Sequence, residues 1–595
     1  MISMLIFFRT IFIAFLFSPT FFYAQDINSE GREFYVVFPL NDTNGIYTPN
    51  FAIYISSKTE TQVKVKRNDI STDYNFTVKA GELYTFSKDI DRMDSDIELT
   101  KYEEISNRSL KISSVEPISV FVFNNKAATA EGFKVIPTEY WGEEYIHNCY
   151  YDYKDRLEWG SGFNVIAKED QTEVSILIRD GANGTTGFGK TVNGRVHEDS
   201  IYVVLNEGEV YTVQGSGETR GVFDISGSII SSNKPVGVVS YHNRVSIPIS
   251  IDKKQGDYLV EMMPPIDTWG RKYIFLDLNR ENEKGDYFRI LAGEDNTTFS
   301  VKWYDRSGNG NNKMINSVES ITLKNKGDWY DYIDTKDIDQ NQESIKGVAV
   351  FEADKPILVH QYTYRGNYDF GLFMTTLPAI EQYVNSAVFV SPPNIIIRET
   401  SRSTLTLFAI GDSSDIMKNT ELLSSIIIGD LQVSYTYPDF LTSRIPCTNI
   451  YWTDVAIGGR GTMTITANTK FGAHLHGYAS HSSYGWPAAV NYKKIHDPQS
   501  SIETSDIVDQ FEGNIISENP TNNDELRIRV SSRIEENAKF YITDINGKIV
   551  KELGEKSIIG KKEFSFNISD LVSGVYFITI SANGMNQIIE FIVTR

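Results

Sequence analysis

Cysteine is scarce in this chain of 595 residues, which contains only Cys149 and Cys447. So few thiols exclude a scaffold held together by many disulfides and a cysteine-rich zinc domain. In an exported protein the two residues could form one disulfide. They could equally be two buried thiols, because the sequence gives no distance between them.

Long apolar runs are absent after the first two dozen residues. The N-terminal stretch combines Arg9, an apolar run at Ile11–Phe17 and a small-residue site at Ala24, before Gln25. This pattern predicts a signal peptide at 1–24. An uncleaved anchor is the alternative, but the run is too short to cross a bilayer. No later window predicts a transmembrane span, so we expect the mature chain to be soluble or surface-attached.

Basic charge is also in short supply. The chain has 57 Lys and Arg residues against 78 Asp and Glu residues, a net charge of −21. Loss of the signal peptide removes only Arg9, which leaves 56 basic residues and a net charge of −22. A chain this acidic repels nucleic acid and anionic lipid, so neither is expected as a partner.

Catalytic motifs are missing. The sequence has no Gly-x-Ser-x-Gly elbow, no His-Glu-x-x-His pair and no cysteine within a family nucleophile motif. Carboxylates for a glycosidase pair are plentiful, but nothing in the sequence selects two of them. We therefore expect no enzyme activity, with an extracellular glycan hydrolase as the alternative.

One segment matches a nucleotide-binding pattern. Gly184–Thr191 fits the P-loop spacing, but that chemistry needs a helix after the loop to hold the phosphates. The residues after Thr191 read as a turn and the β-branched run from Ile201, so we expect a hairpin loop instead.

Two further patterns suggest metal ligands. His474 and His476 lie two apart with His481 nearby, which permits a metal pair, although a repeat strand with histidines facing a groove or solvent is favoured. Alternating carboxylates in two loops could bind Ca²⁺, although they lack the EF-hand glycine and acidic loops are usually only solvated. The first loop contains Asp89, Asp91, Asp94, Asp96 and Glu98, and the second contains Asp331, Asp334, Asp337 and Asp339.

A short phrase with a proline recurs at a nearly constant interval. It occurs at Ser113–Ile118, Ser231–Val236 and Glu352–Ile357, with a degraded copy at Thr466–Phe471. Aromatic strands, acidic loops and Trp-Gly pairs recur with it, which indicates duplicated modules. We expect each proline just before a strand. The landmarks predict four units at 31–141, 142–269, 270–383 and 384–491.

The hydrophobic pattern inside each unit has a period of two. Runs such as Ile118–Phe123 and Ile201–Val204 are β-branched or aromatic, and no sustained helical stripe occurs. The predicted fold class is therefore all-β, with tandem sandwich-like units and a β-propeller arrangement of the repeats as the alternative. Residues 496–524 read as a linker, and 525–595 as a small Ig-like β-sandwich with a hairpin turn at Asn546-Gly547.

The C-terminal module resembles the type A sorting domain of the type IX secretion system of the Bacteroidota. The resemblance rests on Glu518–Thr521, Asp544–Lys548, Leu571–Phe577 and Ile592–Arg595. Glu518 departs from the family, where a proline often precedes Asn-Pro. The resemblance implies that the secretion machinery handles the chain through 525–595, and that the product is secreted or attached to the outer cell surface by way of the periplasm.

Residues 31–491 resemble the N-terminal domain of IgGFc-binding proteins. The matching segments are Gly31–Pro39, Lys234–Val236, Met263–Pro265 and Ser483–Pro487, with Trp269-Gly270. The family implies an extracellular binding or adhesion region, but no ligand motif transfers residue by residue.

These observations favour a non-enzymatic surface protein whose ligand is a host or matrix glycoprotein or glycan. A structural component of the cell surface is a further alternative to the hydrolase.

Overall fold

The structure of the chain is a computed structural model. It describes residues 29–41, 50–87, 97–126, 129–153, 159–180, 189–218, 223–247, 256–278, 286–304, 314–331, 347–363, 371–392, 402–411, 425–429, 431–432, 445, 448–458, 461–479, 482–495, 511–515, 517, 520–545, 548–582 and 585–595. Throughout this part of the chain the regular structure is β-strand, with three short 3-10 turns at Thr138–Tyr140, Ile266–Thr268 and Ile380–Gln382.

The strands before the C-terminal module form four successive groups. Group 1 contains β1 (Gly31–Val36), β2 (Phe38–Pro39), β3 (Asn50–Ser56), β4 (Thr61–Arg67), β5 (Asp73–Val78), β6 (Leu83–Ser87), β7 (Glu98–Leu99), β8 (Ile105–Ser106), β9 (Leu110–Asn125) and β10 (Ala130–Lys134). Group 2 contains β11 (Gly142–Ile146), β12 (Ser161–Ala167), β13 (Thr172–Leu177), β14 (Ser200–Leu205), β15 (Val210–Gln214), β16 (Ile229–Val245) and β17 (Asp257–Met263).

The remaining groups continue the series. Group 3 contains β18 (Lys272–Leu276), β19 (Tyr287–Ala292), β20 (Thr297–Tyr304), β21 (Met314–Leu323), β22 (Trp329–Asp331), β23 (Val348–Ala353), β24 (Ile357–Tyr362) and β25 (Met374–Thr376). Group 4 contains β26 (Val384–Ser391), β27 (Arg402–Ile410), β28 (Ile427–Ile428), β29 (Leu431–Gln432), β30 (Ile450–Ala456), β31 (Gly461–Ala479) and β32 (Ser482–Ala489).

Each group has two layers that share one long strand. In group 1 the first half of β9 pairs with β1 and β4, and its second half pairs with β3 and β10. The long strands β16 and β31 divide in the same way in groups 2 and 4. In group 3 the strand is broken into β23 and β24, which belong to separate sheets. The apolar residues between the layers form the core of each group.

The recurring proline phrase marks the point where the long strand changes sheet. The partner of β1 jumps from Ser113 to Ile118, so the residues between them bulge out of the ladder. Pro117 and Pro235 therefore lie inside β9 and β16, and only Pro356 directly precedes a strand. The expectation that all three precede a strand was wrong, because a bulge also frees the chain from needing the missing N–H.

The all-β, sandwich-like fold class is confirmed, and the described residues form no propeller. A propeller blade is a single four-stranded sheet. Here the bent long strand gives every group a second layer instead.

The last strands of the four groups pack against one another. β10 packs against β17 and β32, and β25 packs against the same two strands, which closes a ring. Buried carboxylates bridge these strands: Glu131 accepts from the backbone N–H groups of Val260 and Met374, at 2.8 Å each. Burial raises the pKa of Glu131 well above its usual range.

The C-terminal module has its own core. It contains β33 (Phe511–Ile515), β34 (Glu525–Asp544), β35 (Ile549–Asn567), β36 (Gly574–Ala582) and β37 (Met585–Val593). β34 lies between β35 and β36, and the buried side chains include Ile528 and Phe591.

Candidate ligand-binding cleft

Of the predicted calcium ligands in the first acidic loop, only Glu98 belongs to the described residues. It is buried on β7, and its Oε2 lies 2.8 Å from the Nζ atom of Lys126. Its Oε1 accepts from the backbone N–H of Asn41 at 3.1 Å. Four residues of this loop lie outside the described part of the chain, so the calcium site stays a prediction: Asp89, Asp91, Asp94 and Asp96.

One cysteine of the predicted disulfide is described. Cys149 is fully buried, and burial raises the pKa of its thiol well above its usual range. Cys447 lies outside the described residues, so a disulfide between the two remains a prediction.

The described histidines of the predicted metal pair are core residues. His474 and His476 lie on β31, both fully buried, with ring centroids 6.3 Å apart. Burial lowers the pKa of His474 to about 4. The expectation that they face a groove or solvent was wrong, because the His474 ring packs near Phe408 and the His476 ring near Phe373 inside the protein. His481 lies outside the described residues, and no group of three metal-binding side chains occurs in the described ranges.

The end of the P-loop-like segment is described from Gly189 onwards. Lys190 pairs with Glu218 at 3.0 Å, and the Thr191 hydroxyl donates to Glu103 at 2.8 Å. A turn at Gly194 and strand β14 come next in place of a helix. These residues therefore offer no phosphate cradle.

A buried arginine joins groups 2 and 3. Arg289 on β19 is fully buried; its Nη1 donates to Asp224 at 2.7 Å and its Nη2 to Asp331 at 2.9 Å. The guanidinium carbon also lies 3.8 Å from the centroid of the Trp329 ring. Burial raises the pKa of Asp224, but Arg289 and hydrogen bonds from Ser226 outweigh it and leave that pKa lowered. Asp331, a predicted calcium ligand, is thus an ion-pair partner here.

Residues of groups 2 and 3 also form an open surface cleft of about 850 Å³. Its walls come from β11, the second 3-10 turn, the β19–β20 loop, the turn before β22, the break between β23 and β24, and the segment after β32. The lining residues are Glu143, Glu144, Ile266, Asp267, Gly293, Glu294, Asp295, Asn296, Lys326, Lys355, Pro356 and Lys494.

Ion pairs across the cleft fix its lysines. Lys326 lies 2.9 Å from Glu144, and Lys494 lies 2.8 Å from Asp267, so each pair joins two different segments. Lys355 donates to the backbone carbonyl of Asp295. The lining is thus rich in charged groups with defined positions, and none of its described residues is aromatic. Such a surface suits a polar ligand that offers many hydrogen-bonding groups.

The sequence reasoning missed both the cleft and Arg289. The recurring acidic loop at Gly293–Asn296 was visible as a repeat landmark, but the segments that face it are far away in the sequence.

Most of the chain that contains the cleft matches a known protein family. Residues 131–477 match the family described as IgGFc binding protein, which is more than half of the chain. The chain belongs to the IgGFc binding protein family. This is a family of binding proteins, and the cleft lies within the matched region except for Lys494.

The C-terminal module matches a second family. Residues 519–594 correspond to the secretion system C-terminal sorting domain. This IgGFc binding family member is therefore exported by type IX secretion and is either secreted or displayed at the cell surface. In the part of the chain that the structure describes, no helix has the length and apolar character needed to cross a membrane.

Solved structures share only a weak likeness with this family member. Escherichia coli alpha-2-macroglobulin activated by porcine elastase is 9% identical, with 94% of this chain and 53% of that chain covered and a TM-score of 0.17. The BSP domain of a biofilm associated protein is 9% identical, with 80% and 92% covered and a TM-score of 0.11. The chain spans about half the length of that macroglobulin. No curated protein matches the chain.

Proposed function

We propose that the protein is a non-enzymatic binding or adhesion protein, and that the cleft between groups 2 and 3 holds its ligand. The observation that carries this proposal is the cleft itself, about 850 Å³ with a charged lining drawn from several segments. This volume is typical of ligand sites, whereas the polar lining is not typical of sites for apolar small molecules. A glycan or glycoprotein from a host, a matrix or a neighbouring cell has the matching chemistry.

The ion pairs in the cleft favour binding over hydrolysis. A glycosidase needs one carboxyl group that protonates the leaving oxygen and a second that acts as nucleophile or base. Of the five carboxylates that line the cleft, Glu144 and Asp267 each have a lysine partner instead. The family name makes the immunoglobulin Fc region one ligand to include in any test.

We also propose that residues 1–24 are a signal peptide and that the region after it consists of four repeat units. The four strand groups support repeat units at 31–141, 142–269, 270–383 and 384–491, since the order of strands recurs from group to group. Duplication of this kind builds an extended surface rather than one catalytic centre.

The test is an array of glycans and extracellular proteins, including immunoglobulin Fc, probed with the purified full chain. We expect binding to a polar ligand that Lys326→Met weakens about tenfold or more. The matched control is Lys79→Met, which removes the same charge from an exposed site where Lys79 pairs with Glu82 at 3.8 Å. Turnover of an arrayed polymer, binding to nothing, or equal losses in both variants would overturn the proposal.

A further inference from the structure

The outer face of strand β14 exposes two large apolar side chains. Tyr202 is 79% exposed and Val204 is 47% exposed, whereas Ile201 and Leu205 point into the core of group 2. Among the described residues β14 pairs with β13 alone, so it is an edge strand. Exposed apolar edges attract other chains, and proteins usually protect them with polar or charged side chains.

The equivalent strands of the other groups carry that protection. Thr172 pairs with Leu205 in group 2, and Thr61 pairs with Val78 in group 1, which fixes the correspondence of the strands. By this register Tyr202 corresponds to Asn75 and Val204 corresponds to Thr77. Both group 1 residues are exposed and polar.

Group 3 also has a polar residue at the position of Val204. Thr297 pairs with Leu323, so Thr322 is the counterpart of Val204, and it is exposed. Of the three groups with long edge strands in the described ranges, group 2 alone presents an apolar outer face. The difference is therefore local to one copy and is not a property of the architecture.

A carboxylate without an ion-pair partner in the described residues completes the surface. Glu173 lies opposite Val204 on β13 and is exposed, where group 1 has the neutral Gln62. A groove of about 490 Å³ runs from β14 to the bulge of β16 and is lined by Tyr202, Val204, Glu173 and Asn233 among others. The groove thus combines an aromatic ring, an aliphatic side chain and a negative charge.

We propose that this surface is a docking site for an extended polypeptide segment of a partner protein, one that carries an apolar and a basic side chain two residues apart, on the same face of the strand. The segment adds to the free edge of β14 as a further strand. Its apolar side chains pack on Val204, and a basic side chain lies over the Tyr202 ring and reaches Glu173. The site is separate from the junction cleft, so either proposal can fail while the other stands.

The test measures fluorescence anisotropy of a labelled probe peptide, titrated with the full chain. In this peptide every second residue is valine or arginine in turn, with threonine between them, so that valine and arginine lie on the same face of the strand. A peptide with glutamate in place of each arginine is the control probe. We expect the basic probe alone to bind, and the double substitution Tyr202→Asn with Val204→Thr to weaken binding about tenfold or more. Glu173→Gln should weaken it about two- to fivefold, as expected for one exposed charge pair.

The matched control is Asn75→Ala with Thr77→Ala, which changes the equivalent face of group 1 and should leave the affinity unchanged. Both double variants keep the net charge, so non-specific attraction of a basic peptide to an acidic protein is the same in each. Equal affinity in wild type and the Tyr202/Val204 variant would overturn the proposal, as would no binding of the basic probe. Sedimentation that shows a dimer dependent on Tyr202 would also overturn it, because the occupant would then be a second copy.

Discussion

The junction between groups 1 and 2 and the junction between groups 2 and 3 share one frame but carry different charges. In the first, Glu207 accepts from the hydroxyl of Tyr35 at 2.8 Å and from Lys111 at 2.7 Å. In the second, Lys326 occupies the place of Glu207, since each residue comes after an asparagine and before a glycine in the same turn. The strand pairings place Ile146 and Ile229 where Tyr35 and Lys111 stand.

This exchange changes the surface of the second junction, where the cleft described above lies. The positions equivalent to Tyr35 and Lys111 hold isoleucines at the second junction, so Lys326 pairs with Glu144 on the cleft wall instead. The units are held together below the surface by Arg289 instead. A junction fixed by a buried cluster leaves its surface residues available for a ligand.

The largest expected effect is on the buried cluster. Arg289→Met should lower the free energy of unfolding by about 3–5 kcal/mol, because it leaves the buried carboxylate of Asp224 unpaired. At the first junction Lys111→Met should cost about 1 kcal/mol or less, since that side chain is 28% exposed. Urea denaturation of the full chain measures both. Equal losses in the two variants would remove the distinction between the junctions.

The second prediction concerns acid. Hydrogen bonds from Lys111 and then Tyr35 hold the pKa of Glu207 below its ordinary value of 4.5. A lowered carboxyl pKa in the folded state stabilises the fold above pH 4.5, and this stability is lost as the pH falls through the folded-state pKa. We expect Glu207→Gln to lower the free energy of unfolding by about 0.5–1 kcal/mol at neutral pH. In acid the variant should be as stable as wild type, because wild type loses this contribution there.

Stability curves of wild type and Glu207→Gln between neutral and strongly acidic pH check this prediction. The two curves should converge as the pH falls. Parallel curves would mean that Glu207 contributes no pH-dependent stability at the first junction.

The smallest effect on stability is expected from rebuilding the first junction in the second. Ile229→Lys combined with Lys326→Glu restores a lysine–glutamate pair at equivalent positions, and half-buried Ile229 leaves room for a lysine ammonium at the surface. The free energy of unfolding should change by less than about 1 kcal/mol. Ligand binding on the array should be lost, and retained binding would show that the charge of Lys326 does not matter.

Local patterns in the sequence were sufficient to predict the strands. In β4 the alternation of Val63 and Val65 with Lys64 and Lys66 predicts one buried and one exposed face. In the structure the two valines are buried and the two lysines are exposed. The proline phrase was visible as well, but its role at the crossing between sheets was not. That role depends on which strands lie on either side of the bulge, and periodicity carries no information about partners.

The junction chemistry could not be predicted for the same reason. Arg289 comes after Phe288 in what reads as an ordinary strand, and its partner Asp224 lies 65 residues earlier. A buried ion pair is decided by how two groups pack. The cleft combines β11 with Lys494, and no local pattern relates positions so far apart.

The ring of β10, β17, β25 and β32 also limits how this architecture can evolve. Gly132 on β10 approaches Trp486 on β32 so closely that a Cβ atom there would lie 3.2 Å from the ring, which joins the first group to the last. A fifth strand group would have to enter a ring that these four strands already close. An open array of domains can be lengthened by adding a domain at one end, whereas this ring has no end, so substitution within the four groups is the simpler route to a new binding specificity.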